Sequence, residues 1–233
     1  MIHEILSLFR ILLKKCETIR GMSLTRQPIL DVFQRGLIRG TASLPFDPEK
    51  AYFYVQHPTE GWRVYLRACC FIHDKEELRR DRFLVVKRAG RPAEGKEWEP
   101  PKGQMEGKEL IKAGEGSSIM QMLKENVRRE VGEEARVHNL QGLRYTGLVL
   151  QNKEKDYPVN TFFQYHVFQA IVTPATWMRA AEELDWYRAH PAAFARLRRD
   201  KREKDQLTWF SPSETQIMGR WSPRIVAMYL SGS

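Results

Sequence analysis

The sequence predicts an α+β fold, because strand-like and helix-like segments follow one another along a single chain of 233 residues. Two β-rich runs, residues 62–72 and 82–88, flank a charged loop and are predicted to pair as a hairpin. A helix is predicted to start at Ser118, where Gln121 completes a capping box. Apolar residues then recur every four positions and give this helix one buried face: Ile119, Leu123, Val127 and Val131.

The remaining segments complete the predicted organisation. Two more strands are expected at residues 143–151 and 161–172, followed by a helical insertion over 176–206 that is rich in Arg and Lys. The segments 211–214 and 222–223 each place Ser before Pro, which is a helix start signal. Helical spacing of apolar and basic residues near the N-terminus predicts a helical extension over residues 1–50, leaving one domain over residues 51–233.

Composition restricts the class of protein. Thirty-eight Lys and Arg against 29 Asp and Glu give a formal net charge of +9, which favours a polyanionic partner. Three cysteines cannot form a disulfide framework, so we expect reduced thiols. The N-terminal apolar stretch 5–13 is too short to span a bilayer. We therefore expect a cytoplasmic protein without a membrane partner, with a weak organelle presequence as the alternative.

The acidic part of the long predicted helix carries the most chemical information. Glu130, Glu133 and Glu134 are spaced i, i+3 and i+4, so their carboxylates share one helix face. Like charges at this spacing destabilise a helix, and a divalent cation reverses the sign of that effect. Hard oxygen ligands are those that Mg²⁺ or Mn²⁺ prefer. The alternative is an acidic face that is simply solvated.

Residues upstream of this face extend the pattern. Gly103 precedes Glu109 by six positions, and Arg129 directly precedes the three glutamates. Together they resemble the motif G-x5-E-x7-R-E-U-x-E-E-x-G-U of the Nudix hydrolase family, in which U is a bulky aliphatic residue. The matching positions are Gly103, Glu109, Arg129, Glu130, Val131, Glu133, Glu134 and Val137. The resemblance covers residues 62–230 and implies a Nudix-type α/β/α sandwich with a mixed β-sheet.

Two positions depart from the family pattern. Nineteen residues separate Glu109 from Arg129, twelve more than the seven of the motif. Arg136 stands where the motif has its final Gly, a residue that often ends a helix in the left-handed conformation. We therefore expect the helix to end differently or to run on. These departures leave open a Nudix fold that binds without hydrolysing.

The resemblance also implies roles for the motif residues. Glu130, Glu133 and Glu134 would hold Mg²⁺ or Mn²⁺ against a pyrophosphate, and the backbone of Lys102 and Gly103 would face the metal. Arg129 would form an ion pair with Glu109 and so orient the helix. The alternative for that pair is a surface ion pair of small energetic effect. The candidates for the general base are Glu130 and, more weakly, Glu154 and Asp156.

The substrate class is suggested by Pro101-Lys102-Gly103, which resembles the branches that hydrolyse mRNA caps, dinucleoside polyphosphates and diphosphoinositol phosphates. Lys102 could contact a phosphate chain, and Lys87 and Arg88 could extend the phosphate-binding wall. Each could equally be an ordinary strand charge. A Nudix core with added helical elements and a broad basic surface is also similar to large-DNA-virus Nudix proteins, which adds the host cytoplasm as a possible location.

Three functions therefore compete. The first is metal-dependent pyrophosphohydrolysis of capped RNA or a nucleotide polyphosphate. The second is the same reaction on a diphosphoinositol polyphosphate. The third is a catalytically silent module that binds RNA, since the insertion 176–206 mixes aromatic and basic residues. Packing of these aromatic residues onto the domain is the alternative to RNA contact.

Overall fold

Two parallel strands, β3 (Arg63–Asp74) and β8 (Thr161–Val172), form the centre of the larger sheet and are buried over most of their length. The computed structural model describes residues 28–91, 95–114, 116–153 and 156–232. Residues from Asp31 to Ser233 form one compact unit. A second unit comprises Met1–Leu30, of which only the last three residues are described. Residues 1–27 of the predicted helical extension lie outside the described residues.

The larger sheet has six strands and is mixed, in agreement with the predicted α+β class. Besides β3 and β8 it contains β1 (Ile38–Leu44), β2 (Asp47–Gln56), β6 (Lys102–Gln104) and β7 (Gln141–Lys153). The strand order is β1-β2-β3-β8-β7, and β6 pairs with β3 farther along the strand than β2 does. In this sheet β3 and β8 run parallel, and the other pairs are antiparallel.

The first hairpin of this sheet corrects the predicted N-terminal extension. Strands β1 and β2 pair from Ile38 with Gln56 to Leu44 with Asp47, so residues 38–50 form strands joined by a turn at 45–46 rather than a helix. Val55 and Phe53 of β2 are completely buried. Burial of alternate residues against the domain outweighs the weak helical spacing of this segment.

A smaller sheet consists of β4 (Leu84–Arg88), β5 (Gly95–Glu99), β9 (Lys204–Trp209) and β10 (Thr215–Ile217). Its strand order is β10-β5-β4-β9, with β10 and β5 parallel. The strand predicted at residues 82–88 therefore exists, but its predicted hairpin pairing with 62–72 is wrong. Residues 84–87 are all buried. The backbone of such a buried strand forms hydrogen bonds with a neighbouring strand on each edge, and for β4 these neighbours are β5 and β9.

Five α-helices occur among the described residues. They are α1 (Gly107–Ala113), α2 (Ile119–Glu134), α3 (Pro174–Ala189), α4 (Pro191–Ala195) and α5 (Ser222–Ser231), and a short 3₁₀ turn covers Arg199–Arg202. Helix α2 begins as predicted, with the backbone N–H of Gln121 donating to Ser118 Oγ at 3.2 Å. The predicted insertion is helical up to residue 202, whereas residues 204–206 belong to β9.

The segment 211–214 does not start a helix. The backbone N–H of Thr215 donates to the Ser211 carbonyl at 2.8 Å, and the Ser211 N–H donates to Thr215 Oγ1 at 2.8 Å. These local bonds close a turn that leads into β10, because Ser and Thr side chains compete for backbone groups. The second predicted start is correct, with α5 beginning at Ser222.

Packing of the two sheets places the acidic helix. Aromatic side chains from both sheets and from α5 form a core that includes Phe71, Phe83, Trp98, Tyr165 and Tyr229. Helix α2 packs against β3 and β6 and buries the apolar residues predicted for its inner face. Its acidic residues are therefore held beside the end of β6. Within the described residues, no helix is long and apolar enough to cross a membrane.

Candidate active site

The acidic face of α2 lies directly against strand β6. A Cβ atom added to Gly103 would stand 1.9 Å from Glu130 Cδ, so only glycine allows this approach. The neighbouring Lys102 donates its backbone N–H to Glu134 Oε2 at 2.9 Å. The structure thus brings together the two halves of the sequence pattern, Lys102-Gly103 and the glutamates, despite the twelve additional residues between Glu109 and Arg129.

Arg129 connects most of the acidic groups. Its Nη1 lies 2.8 Å from Glu133 Oε2, its Nη2 lies 2.7 Å from Glu130 Oε1, and its Nε donates to Glu109. The predicted ion pair between Arg129 and Glu109 is present. Glu109 also accepts from the backbone N–H of Glu106 at 2.6 Å, which anchors the pair to the start of α1.

Burial controls the ionisation of this cluster. It raises the pKa of Glu130 to about 8, opposed by Arg129 and reinforced by Glu134 and Glu133. Burial also raises the pKa of Glu134, against the effect of nearby lysines, and that of Glu109, against the effect of Arg129. The cluster therefore has more buried carboxyl groups than Arg129 alone keeps ionised, which is an environment that favours either a bound proton or an additional cation.

A second ionic cluster holds the end of the acidic face. Lys204 Nζ lies 3.3 Å from Glu134 Oε1 and also donates to Glu99. Lys102 Nζ lies 2.6 Å from Glu99 Oε2. Burial raises the pKa of Glu99, but the combined effect of Lys102 and Lys204 is larger and lowers this pKa to about 2. Neither Glu99 nor Lys204 was among the site residues predicted from the sequence. Glu99 could have been noticed beside Pro100-Pro101-Lys102, whereas no local pattern marks Lys204.

A cavity of about 590 Å³ opens beside this second cluster, and we call it the charged cavity. Arg88 lines it, as the prediction of a phosphate-binding wall requires. Lys87 does not line it, because its side chain is 1% exposed and its Nζ lies 5.1 Å from the centre of the Trp98 ring. The lining residues are Arg88, Ala89, Glu99, Lys102, Glu134, Arg199, Arg202, Glu203 and Lys204.

Arg136 ends helix α2 in the way that a glycine would. Its φ is +58°, in the left-handed region, so the expectation that the helix ends differently or runs on is wrong. The conformation costs a residue with a Cβ about 1–2 kcal/mol. In return the Arg136 guanidinium donates to the Glu133 carbonyl at 2.7 Å and to the Lys201 carbonyl. The side chain thereby fixes the end of α2 to the 3₁₀ turn that borders the charged cavity.

The acidic residues fit a divalent metal by their chemistry more than by their present orientation. Carboxylate oxygens are the ligands that Mg²⁺ and Mn²⁺ prefer. Among the described residues, however, no three His, Cys, Asp or Glu side chains converge as a ready metal site. Glu130 and Glu133 face Arg129, and Glu134 faces the Lys204 ammonium and the backbone N–H of Lys102. Metal binding therefore requires these carboxylates to exchange cations of the chain for the metal ion.

The candidates for the general base differ in position. Glu130 lies within the acidic face. Asp156 lies in the exposed loop between β7 and β8, and Glu154 is outside the described residues.

Comparisons with known proteins found structural likenesses only. No protein-family model and no curated protein matches the chain. Among solved structures, a NUDIX hydrolase from Nitrosomonas europaea is 16% identical, with 72% of this chain and 90% of that chain covered and a TM-score of 0.40. The NUDIX domain of Shewanella oneidensis NrtR complexed with ADP ribose is 10% identical, with 75% and 92% covered and a TM-score of 0.42.

An Ap4A hydrolase binary complex from C. elegans is 17% identical, with 63% of this chain and 79% of that chain covered and a TM-score of 0.31. These scores are too low to establish a common fold or a shared activity. The contacts around α2 are therefore what supports a function for this chain.

Proposed function

We propose that this chain is a Nudix hydrolase, a metal-dependent pyrophosphohydrolase that cleaves a nucleoside-diphosphate-linked substrate, either capped RNA or a nucleotide polyphosphate. The observation that carries the proposal is the contact network of Arg129, which joins Glu109, Glu130 and Glu133 beside Gly103. These residues occupy the motif positions that the sequence resemblance marks, and they meet across an insertion that could have separated them.

The residues divide into metal-holding and positioning groups. Glu130, Glu133 and Glu134 would hold Mg²⁺ or Mn²⁺. When bound, such a cation would neutralise charge that develops on the phosphoanhydride oxygens and acidify the attacking water. Arg129 and Glu109 are positioning residues, because their ion pair fixes α2 against α1. Lys102 and Arg88 present positive charge to the substrate phosphates from the charged cavity.

Turnover of a panel of pyrophosphates tests the proposal. The full chain is incubated with a capped RNA, a dinucleoside polyphosphate, ADP-ribose and a diphosphoinositol polyphosphate, each with and without Mn²⁺. The proposal expects Mn²⁺-dependent cleavage of at least one substrate that contains a nucleoside. Absence of turnover on the whole panel would refute hydrolysis and leave the catalytically silent Nudix module.

A diphosphoinositol polyphosphate is the second candidate substrate, because eight of the nine residues that line the charged cavity carry a charge. Five of these are basic and three acidic, which suits a densely anionic ligand. If this candidate is the substrate, we expect the chain to cleave the inositol pyrophosphate of the panel in preference to every nucleotide.

RNA binding remains a prediction for the insertion. The ring of Trp177 packs edge-on to Trp209 with centroids 5.3 Å apart, which is the packing alternative. Trp186 is 49% exposed and stacks on His190, so it remains available to a base. If the insertion binds RNA through its basic residues, affinity falls steeply as salt rises. A flat salt response would exclude such contacts.

A further inference from the structure

A second cavity, of about 580 Å³, differs in chemistry from the charged cavity, and we call it the aromatic cavity. Three aromatic side chains, two arginines and one carboxylate contribute to it. They come from the β1–β2 turn, strand β3, the β7–β8 loop and the segment that precedes α5. The lining residues are Pro45, Phe46, Arg67, Asp156, Tyr157, Arg220 and Trp221.

The aromatic cavity is joined to the acidic face through strand β6. Arg67 Nε donates to Gln104 Oε1 at 3.0 Å, and these two residues are register partners. The Gln104 carbonyl in turn accepts from Arg129 Nη2 at 3.1 Å. Lys102, which lines the charged cavity, is two positions before Gln104, so the two side chains leave the same face of β6 about 7 Å apart. The two cavities therefore lie along one strand.

The guanidinium of Arg67 is held in place inside the aromatic cavity. It lies 4.4 Å from the ring centre of Phe163 and 5.3 Å from that of Tyr165. The Arg220 guanidinium lies 5.1 Å from the centre of the Trp221 ring. Planar cations that are already stacked on rings present further flat surfaces to a planar ligand.

Phe46 adds an aromatic ring that is largely exposed to solvent. It is 57% exposed at the tip of the β1–β2 turn, and its ring centre lies 5.3 Å from that of Tyr52. Exposed aromatic residues beside arginines are typical of sites that stack nucleobases. Asp156 supplies a carboxylate that can accept hydrogen bonds from the N–H groups of a base. An inositol ring has neither a π face nor such N–H donors.

We propose that the aromatic cavity binds the nucleobase of the substrate whose pyrophosphate lies at the acidic face. This inference rests on the proposed function and deepens it, because it favours a nucleotide over an inositol pyrophosphate. Phe46, Tyr157 and Trp221 provide the stacking surfaces, and Arg67 lies between the base and the phosphates.

Binding without metal tests the inference separately from catalysis. Isothermal titration calorimetry of the full chain measures the dissociation constants of GMP and of ribose 5-phosphate, which has the same phosphate but no base. We expect GMP to bind roughly 5- to 150-fold more tightly, the usual range for stacking one base on aromatic residues. Phe46→Ala should remove much of this preference, whereas Phe46→Trp should retain it.

Phe33→Ala is the matched control, because it removes the same side chain at a position that is 42% exposed and does not line the cavity. It should leave the preference for GMP unchanged. Equal affinities for GMP and ribose 5-phosphate would overturn the inference, as would a Phe46→Ala variant that keeps the full preference.

Failure of the inference is distinguishable from failure of the proposed function. Mn²⁺-dependent turnover of the pyrophosphate panel without any preference for GMP would refute the base site and leave hydrolysis intact. A preference for GMP that Phe46→Ala abolishes, together with no turnover on the panel, would support the base site and refute hydrolysis.

Discussion

The two cavities have nearly equal volumes, about 590 and 580 Å³, but opposite lining chemistry. Eight of nine lining residues of the charged cavity are ionic, and none is aromatic. The aromatic cavity has three rings among its seven lining residues. Both adjoin β6, one at Lys102 and the other through the bond between Arg67 and Gln104. The difference indicates a ligand with an anionic part and a planar part, and each half can be altered separately.

Loss of a carboxylate at the charged cavity should have the largest effect. Glu134→Gln keeps the size of the side chain and removes the negative charge that adjoins both the cavity and the acidic face. We expect kcat to fall on the order of 100-fold, as when one preorganised electrostatic group is removed from an active site. Glu203→Gln is the control, because Glu203 lines the same cavity outside α2. Equal losses in the two variants would contradict a special role for Glu134.

The stability of the region between the two cavities depends on Arg129. Arg129→Met should lower the free energy of unfolding by about 3–5 kcal/mol, because Glu109, Glu130 and Glu133 lose their buried cation. Urea unfolding measures this loss. The double variant Arg129→Met/Glu109→Gln should be less destabilised than the sum of the single changes, since the pair is removed together. Strict additivity would show that the two side chains do not interact.

The exposed basic rim of the charged cavity should affect binding more than turnover. The double change Arg199→Ala/Arg202→Ala is expected to raise KM about tenfold for a pyrophosphate substrate, with kcat changed less than about twofold. The KM effect should shrink as salt rises. Lys201→Ala removes a charge from the same 3₁₀ turn but not from the cavity lining, and it should leave KM unchanged. A change confined to kcat would contradict a substrate-binding rim.

Lys204 should oppose metal binding. Its ammonium lies 3.3 Å from Glu134 Oε1, so Lys204→Met removes a positive charge that repels a divalent cation at the same carboxylate. We expect Mn²⁺ to bind at least about tenfold more tightly, measured from the signal of free Mn²⁺ by electron paramagnetic resonance. Lys75→Met, at a charge beyond the end of β3, is the control. Unchanged or weaker Mn²⁺ affinity in Lys204→Met would contradict this competition.

The parts of the molecule that follow from local sequence were predictable. The start of α2 at Ser118 and the ion pair between Arg129 and Glu109 depend on spacing along the chain and on a motif. Lys204 and Phe46 reach their cavities only through tertiary pairing, β9 with β4 and β1 with β2, and no local pattern marks them. The predicted partner strand of β4 was wrong for the same reason. Proximity in the sequence suggested a hairpin with residues 62–72, whereas the buried strand pairs with β5 and β9.

Arg136 illustrates a different limit. The motif position calls for a left-handed residue, and the sequence offers a large cation that is normally disfavoured there. The compensating hydrogen bond to the Lys201 carbonyl comes from a segment more than sixty residues away. Its contribution becomes visible only once the insertion is folded against α2.

Turnover of two pyrophosphates in Mn²⁺ shows whether one substrate occupies both the acidic face and the aromatic cavity. The kcat/KM of the full chain is measured for a guanosine-capped dinucleotide and for a diphosphoinositol polyphosphate, with wild type and Glu134→Gln side by side. We predict at least about tenfold preference for the guanosine compound, as expected when a base stacks in the aromatic cavity, and a fall in its cleavage on the order of 100-fold in Glu134→Gln. Equal or reversed preference, or full activity in Glu134→Gln, would rule out this assignment of the substrate.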